Sequence, residues 1–188
     1  MRPEENTMKD LLSSRRSIRR FQEKEIESEK LNQIFEAARM SPTWGNLQCQ
    51  ELVIVQAADD KEKLAELLSK KNPATICTKR APVVIAVCGN PQKSGYYNST
   101  QVTRYTHWFL YDLGIVSQNI CLKAWELGLG SVIVGSFDHR AVEELLEIPK
   151  GVELVALIPI GYPDHQPAAP KRKEITDFVH FDRFTVNI

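Results

Sequence analysis

The stretch DLGIVSQNICLKAWELGLGSVIVGSF, residues 112–137, decides how this chain is organised. With Phe109 ahead of it, its first half carries Leu113, Val116, Ile120, Leu122, Ala124 and Leu127 at helical spacing. That pattern runs from 106 to 127 and is apolar on enough sides to belong in the middle of a molecule. Gly128 and Gly130 stop the helix, and residues 131–137 continue as a short extended segment. Working outward, residues 82–88 and 154–160 are continuous Val/Ile/Leu runs of the kind that form strands buried on both faces. Residues 52–55 are β-rich, 61–70 read as an amphipathic helix, and Asp138 caps a helix carrying Val142, Leu145 and Leu146. Ser28 caps another, with Leu31, Ile34, Phe35 and Ala38 on one side until Pro42 ends it. Residues 8–14 predict a short helix with Met8, Leu11 and Leu12 on one face. After Pro163 comes the connection HQPAAPKRK, then a tail whose Phe178, Phe181, Phe184, Val186 and Ile188 are too apolar to be left in water.

At 188 residues the chain predicts one domain, 1–188, long enough to hold a core without disulfides or structural metal. Lysine plus arginine and aspartate plus glutamate both count 24, so no global field exists to hold nucleic acid or an anionic membrane. No apolar run approaches the roughly 20 residues that span a bilayer, and MRPEENTMKD has no apolar core of a signal peptide. The expected location is the cytoplasm. Cys49, Cys77, Cys88 and Cys121 form no CxxC pair, and no two of the four histidines sit at ligand spacing on a helix, so no metal site is expected.

Three features carry chemistry. In RRSIRR, Arg15, Arg16, Arg19 and Arg20 surround Ser17. Guanidinium forks and a hydroxyl match phosphate, although a solvated basic turn at a helix end has the same composition. In SPTWGNLQCQ, residues 41–50, Thr43, Asn46 and Gln48 can hydrogen-bond a polar heterocycle or satisfy their own backbone. GLGSVIVGSF, residues 128–137, lacks the GxGxxG spacing and follows a helix, which excludes a Rossmann site. It leaves backbone able to approach a flat ligand, or a plain helix stop before a core strand. Nothing in the chain reads as nucleophile or acid/base machinery of its own.

RRSIRRF, SPTWGNLQ, residues 112–137, ELLEIP, ALIPIGYP and APKRKEITDFVHFDRF, in that order and spacing, resemble the FMN-dependent nitroreductase family from Ser14 to Phe184. The resemblance implies an α+β fold, a central mixed and mostly antiparallel sheet flanked by helices. It also implies a homodimer with FMN at the subunit interface, the helix around Val116 in that interface, and a C-terminal arm, about 175–188, exchanged onto the partner. By position, Arg15, Arg16, Ser17 and Arg19 match the phosphate and ribityl stretch. Pro42, Thr43, Asn46 and Gln48 match the loop laid on the flavin by the other subunit, and Ile133, Val134 and Gly135 the backbone near the ring. Arg172 matches the late basic residue on phosphate, but Pro170 departs from the family pattern and leaves Lys171, Arg172 and Lys173 as alternatives. Cys49 stands where relatives usually have proline. The unmatched segment 90–106 offers Tyr96, Tyr97 and Arg104 as substrate contacts, or is an exposed loop. The implied activity is hydride transfer from NADH or NADPH through FMN to a nitroaromatic, quinone or similar acceptor by ping-pong turnover. The alternatives are a branch acting on halogenated aromatics, enones or flavin, and a protein that binds FMN without turnover.

Overall fold

Residues 83–89, VVIAVCG, are buried along their whole length because both faces of the strand they form are covered. The computed structural model describes residues 7–185. In chain order its elements are α1 (Met8–Ser14), α2 (Ser28–Arg39), β1 (Gln50–Val55), α3 (Ala58–Glu66), α4 (Thr75–Arg80), β2 (Val83–Gly89), β3 (Tyr96–Tyr97), β4 (Thr100–Gln101), α5 (Phe109–Glu126), β5 (Gly130–Ser131), α6 (His139–Leu145) and β6 (Glu153–Gly161). The main sheet has the order β1-β2-β6-β5, every neighbouring pair antiparallel. A parallel bridge from Ser17 to Ser131 makes it mixed.

Alternate side chains of β2 enter two cores. Val83, Ile85 and Val87 meet Phe109, Leu113, Val116 and Ile120 of α5, with Leu31 and Ile34 of α2 beyond. Val84, Ala86 and Cys88 meet Leu64 of α3, Cys77 of α4 and Val142 of α6. Truncating Ile85 to alanine would therefore cost roughly 2–5 kcal/mol, because backbone and helices on either side hold the cavity open. Among the described residues, no helix is long and apolar enough to cross a membrane.

Several expectations shift. Ser28 is the first residue of α2 rather than its cap, and Glu27 in the cap position makes no side-chain capping bond. The third helix spans Ala58–Glu66, not 61–70, and the central helix begins at Phe109 because residues 102–108 are taken up by turns and bends. Only Leu11 of the α1 face is buried; Met8 and Leu12 are exposed. Val116, expected at a subunit interface, is buried in the chain's own core, and the exposed large apolar residues of α5 are Leu110 and Tyr111. Asp138 does cap α6, accepting from the Ala141 N–H at 3.1 Å. In the tail, Ile175, Phe178, Phe181 and Phe184 are exposed, Phe181 at 86%. Val186 and Ile188 lie outside the described residues.

Candidate functional site

Beyond α1 the chain lies along β5 as an irregular extended segment. The Ile18 N–H donates to the Ser131 carbonyl at 2.9 Å, Gln22 N–H donates to Tyr162 carbonyl at 2.9 Å, and Phe21 bridges Pro163. Ile18 and Phe21 enter the core and pin the segment. Gly130 permits this: a Cβ there would sit 2.5 Å from Ile18 Cγ1. RRSIRRF thus reads physically as two apolar anchors with arginines between them.

Arg15, Arg16, Ser17 and Arg19 line one cleft of about 300 Å³ with Pro167, Ala168, Pro170 and Arg172. The Pro-rich connection thereby returns Arg172 to the arginine run across some 150 residues of chain. Among the described residues, no acidic side chain lines the cleft and none of its four arginines is in an ion pair. Arg16 is steadied by the Ser13 and Arg15 carbonyls, both at 2.8 Å. Arg20 turns away toward the Asp164 carbonyl at 3.5 Å. Of the three late basic residues only Arg172 lines the cleft; Lys171 and Lys173 are exposed outside it. Four guanidiniums and a hydroxyl without a counter-charge fit a phosphate group.

The 41–50 loop is placed elsewhere and shares no lining residue with that cleft. Gly45, Asn46 and Gln48 all have φ near +50°, an uncommon concentration of left-handed backbone in a loop. Thr43 Oγ1 accepts from the Gln48 N–H at 3.0 Å and the Gln48 amide donates to the Asn46 carbonyl at 3.3 Å, so these polar groups satisfy their own loop. Pro42, Asn46 and Gln48 are exposed. Trp44, Gly45 and Leu47 line a second cleft of about 640 Å³, whose other wall is Gln92–Ser99, including Tyr96 and Tyr97. Arg104 is outside it, its guanidinium 5.7 Å from the Tyr105 ring.

Both walls are tied to a carboxylate that the sequence reading overlooked. Asp112, in the first turn of α5, is 1% exposed. It accepts from the Trp44 N–H at 3.1 and 3.2 Å, from Ser94 Oγ at 2.6 Å and from Cys49 Sγ at 3.6 Å. Burial, with the Asp112 charge behind it, pushes the Cys49 thiol up to about 12. Burial likewise raises Cys88 to about 12 and Cys77 to about 11, and raises Cys121; none of the four is a ready nucleophile. In the third segment, Ile133 is half exposed and Gly135 faces open space. The Val134 side chain is in the core, and its N–H and carbonyl exchange bonds with Leu157 at 2.8 and 2.9 Å.

Residues 12–162 match the model of the Nitroreductase family. The FMN reductase [NAD(P)H] of Bacillus subtilis is 28% identical over 172 residues, which cover 86% of this chain and 68% of that one. An FMN-dependent nitroreductase from Clostridium difficile superposes with a TM-score of 0.77 at 27% identity, over 94% of this chain and 100% of the other. The NADPH:FMN oxidoreductase of Vibrio harveyi, solved in complex with NAD+, superposes with a TM-score of 0.81 at 26% identity, over 94% of this chain and 77% of that one. Four-fifths of the sequence thus matches the family's pattern, and nearly all of the fold superposes on solved members, so this chain belongs to the nitroreductase family.

Proposed function

We propose that this chain is an FMN-dependent oxidoreductase that takes hydride from NADH or NADPH and passes electrons to a nitroaromatic, quinone or similar acceptor, donor and acceptor taking turns at one face. The observation that carries the reading is a cleft lined by four arginines, with no acid among its described residues, in a chain of this family. Arg15, Arg16, Ser17, Arg19 and Arg172 would hold the FMN phosphate, and the outward backbone at Ile133 and Gly135 would lie near the ring. FMN would supply the redox chemistry. Relatives that carry FMN or NAD(P)H in their names support the same assignment.

The reading requires two protomers. The family resemblance implies that the loop of Pro42, Thr43, Asn46 and Gln48 is laid on the flavin by a partner, and within one chain the clefts on that loop and on the arginine run share no lining residue. Two further features favour a homodimer. β1 is an edge strand beside a groove formed by residues 53–57, Asp60 and 145–147, and the exposed apolar tail is of a kind that covers such an edge. The arm at about 175–188 is assigned to that role.

The test is anaerobic addition of NADH or NADPH to the yellow holoprotein, followed by menadione or a nitroaromatic. Bleaching and return of the colour, with parallel double-reciprocal lines, support the enzyme. Intersecting lines replace alternation by a ternary complex, and failure of both nicotinamides to bleach favours a protein that binds FMN without turnover.

A further inference from the structure

We propose that the cleft between the 44–47 loop and residues 92–99 selects flat acceptors that carry an anionic group, and that Lys93 reads the charge. This names the acceptor class of the oxidoreductase reading and rests on it. The walls are aromatic, Trp44 on one side and Tyr96 and Tyr97 on the other, with Gln92, Asn98 and Ser99 at hand. Among the described residues Lys93 is the sole charged one in the lining, and its ammonium makes no ion pair or hydrogen bond with them. A cleft lined by aromatic side chains and one cation recognises an aromatic carboxylate or sulfonate better than a neutral ring of the same shape.

The cation is held on a defined backbone. Lys93 N–H donates to the Asn90 carbonyl at 3.2 Å and Gln92 N–H to Asn90 Oδ1 at 2.9 Å, which closes the turn. The next residue, Ser94, is fully buried and donates to the same Asp112 carboxylate that accepts from Trp44 N–H. One buried carboxylate therefore sets the spacing between the indole wall and the lysine wall. Gly95 follows with φ +86°, and a Cβ there would sit 2.7 Å from Thr103 Oγ1 and 2.8 Å from Trp108 Cβ, which fixes the chain beyond the lysine. Asp112 is the positioning residue; Lys93 touches the ligand.

The experiment compares 4-nitrobenzoate with neutral 4-nitrobenzyl alcohol, using FMN-loaded protein. Calorimetry on the oxidised holoprotein gives binding without turnover, and steady-state rates give the ratio of the two KM values. The wild type should bind the anion about fivefold more tightly, the scale of a partly exposed charge pair. Lys93→Gln should bring the two ratios near one and Lys93→Glu should invert them, while Lys150→Gln, an exposed lysine between α6 and β6 that lines neither cleft, should keep the preference. Equal binding of anion and alcohol by the wild type, or an unchanged preference in Lys93→Gln, overturns the proposal. The parent reading fails separately. Lysine-dependent nitrobenzoate binding without bleaching by either nicotinamide would leave the anion pocket standing and remove the oxidoreductase.

Discussion

Gly130→Ala tests whether the arginine cleft depends on the close approach of two backbones. The new Cβ would lie 2.5 Å from Ile18 Cγ1, 2.6 Å from Cβ and 2.8 Å from Cγ2. Carbon contacts settle near 3.5–4.0 Å, so the Ile18 segment must retreat by about 1 Å. Ile18 is fully buried and hydrogen-bonded through its main chain to Ser131, so no rotamer change relieves the clash. Overpacking of this kind costs roughly 1–3 kcal/mol, and at 2 kcal/mol a domain of this size loses about 4–8 °C of melting temperature. The same retreat carries Ser17 and Arg19 out of line. Loss of one charge-assisted bond, roughly 1.5–3 kcal/mol, weakens FMN by about tenfold or more. Urea unfolding of the apoprotein and flavin fluorescence titration read the two effects. Gly135→Ala, with nothing within 4 Å of its Cβ, should leave apoprotein stability unchanged. Ile18→Ala removes two of the three clashing carbons, so the double variant should be less destabilised than the two single losses added together. Strict additivity, or an FMN affinity in Gly130→Ala equal to wild type, would refute the reasoning.

Three further outcomes follow from the same geometry. Arg15→Ala and Arg172→Ala should each weaken FMN by about tenfold or more, whereas Arg20→Ala, whose side chain reaches the Asp164 carbonyl outside the cleft, should change it little; equal losses at Arg15 and Arg20 would show the basic run is misassigned. Cys88 is raised from an ordinary 9.0 to about 12 in the folded chain, so its contribution is whole below pH 9 and is lost as pH rises from about 9 toward 12. Urea midpoints should fall between pH 8.5 and 10.5, and Cys88→Ala should shrink that fall; an identical fall in the variant would remove the thiol as its source. Truncation after Asp177 removes Phe178, Phe181 and Phe184 and should give aggregated or flavin-free protein by light scattering and flavin absorbance; a monodisperse monomer that keeps FMN would contradict the exchanged arm.

The parts legible in the sequence are those whose pattern is redundant. β2 and β6 announce themselves because both faces are buried, and α5 because apolar residues recur through five turns. α4 was not visible: TICTKR has no amphipathic run, and it is held by packing on α3 and by Lys61, whose ammonium donates to the Ala81 carbonyl at 2.8 Å. The hairpin β3–β4 has two-residue strands with mostly exposed side chains and so leaves no period to read. At the site, the arginine run stands out as a local excess in a neutral chain, but only the family resemblance led to Arg172. Asp112 was missed because a carboxylate in the first turn of a helix is ordinary on electrostatic grounds. Its burial depends on Trp44, Cys49 and Ser94 arriving from two other segments. The one available signal was a lone charge inside FLYDLGIV, where every other residue is apolar, aromatic or glycine.

The two clefts divide the electrostatic work in different ways. Four guanidiniums gathered in one cleft, with no acid among its described lining, repel, and a folded chain that gathers them is less stable than one that scatters them. Ile18 and Phe21 hold the segment by burial instead, which does not depend on what fills the cleft. A phosphate dianion converts the repulsion into attraction, so occupancy and stability are linked: whatever binds the folded cleft raises the free energy of unfolding by RT ln(1 + [L]/Kd). The second cleft uses the opposite arrangement. There the buried charge is the anion, Asp112, satisfied by three uncharged donors, and the cation Lys93 is left at the surface. A carboxylate bound only by neutral donors can fix backbone on both sides without cancelling the lysine. Had Asp112 paired with Lys93 directly, the pocket would have kept its shape and lost its charge.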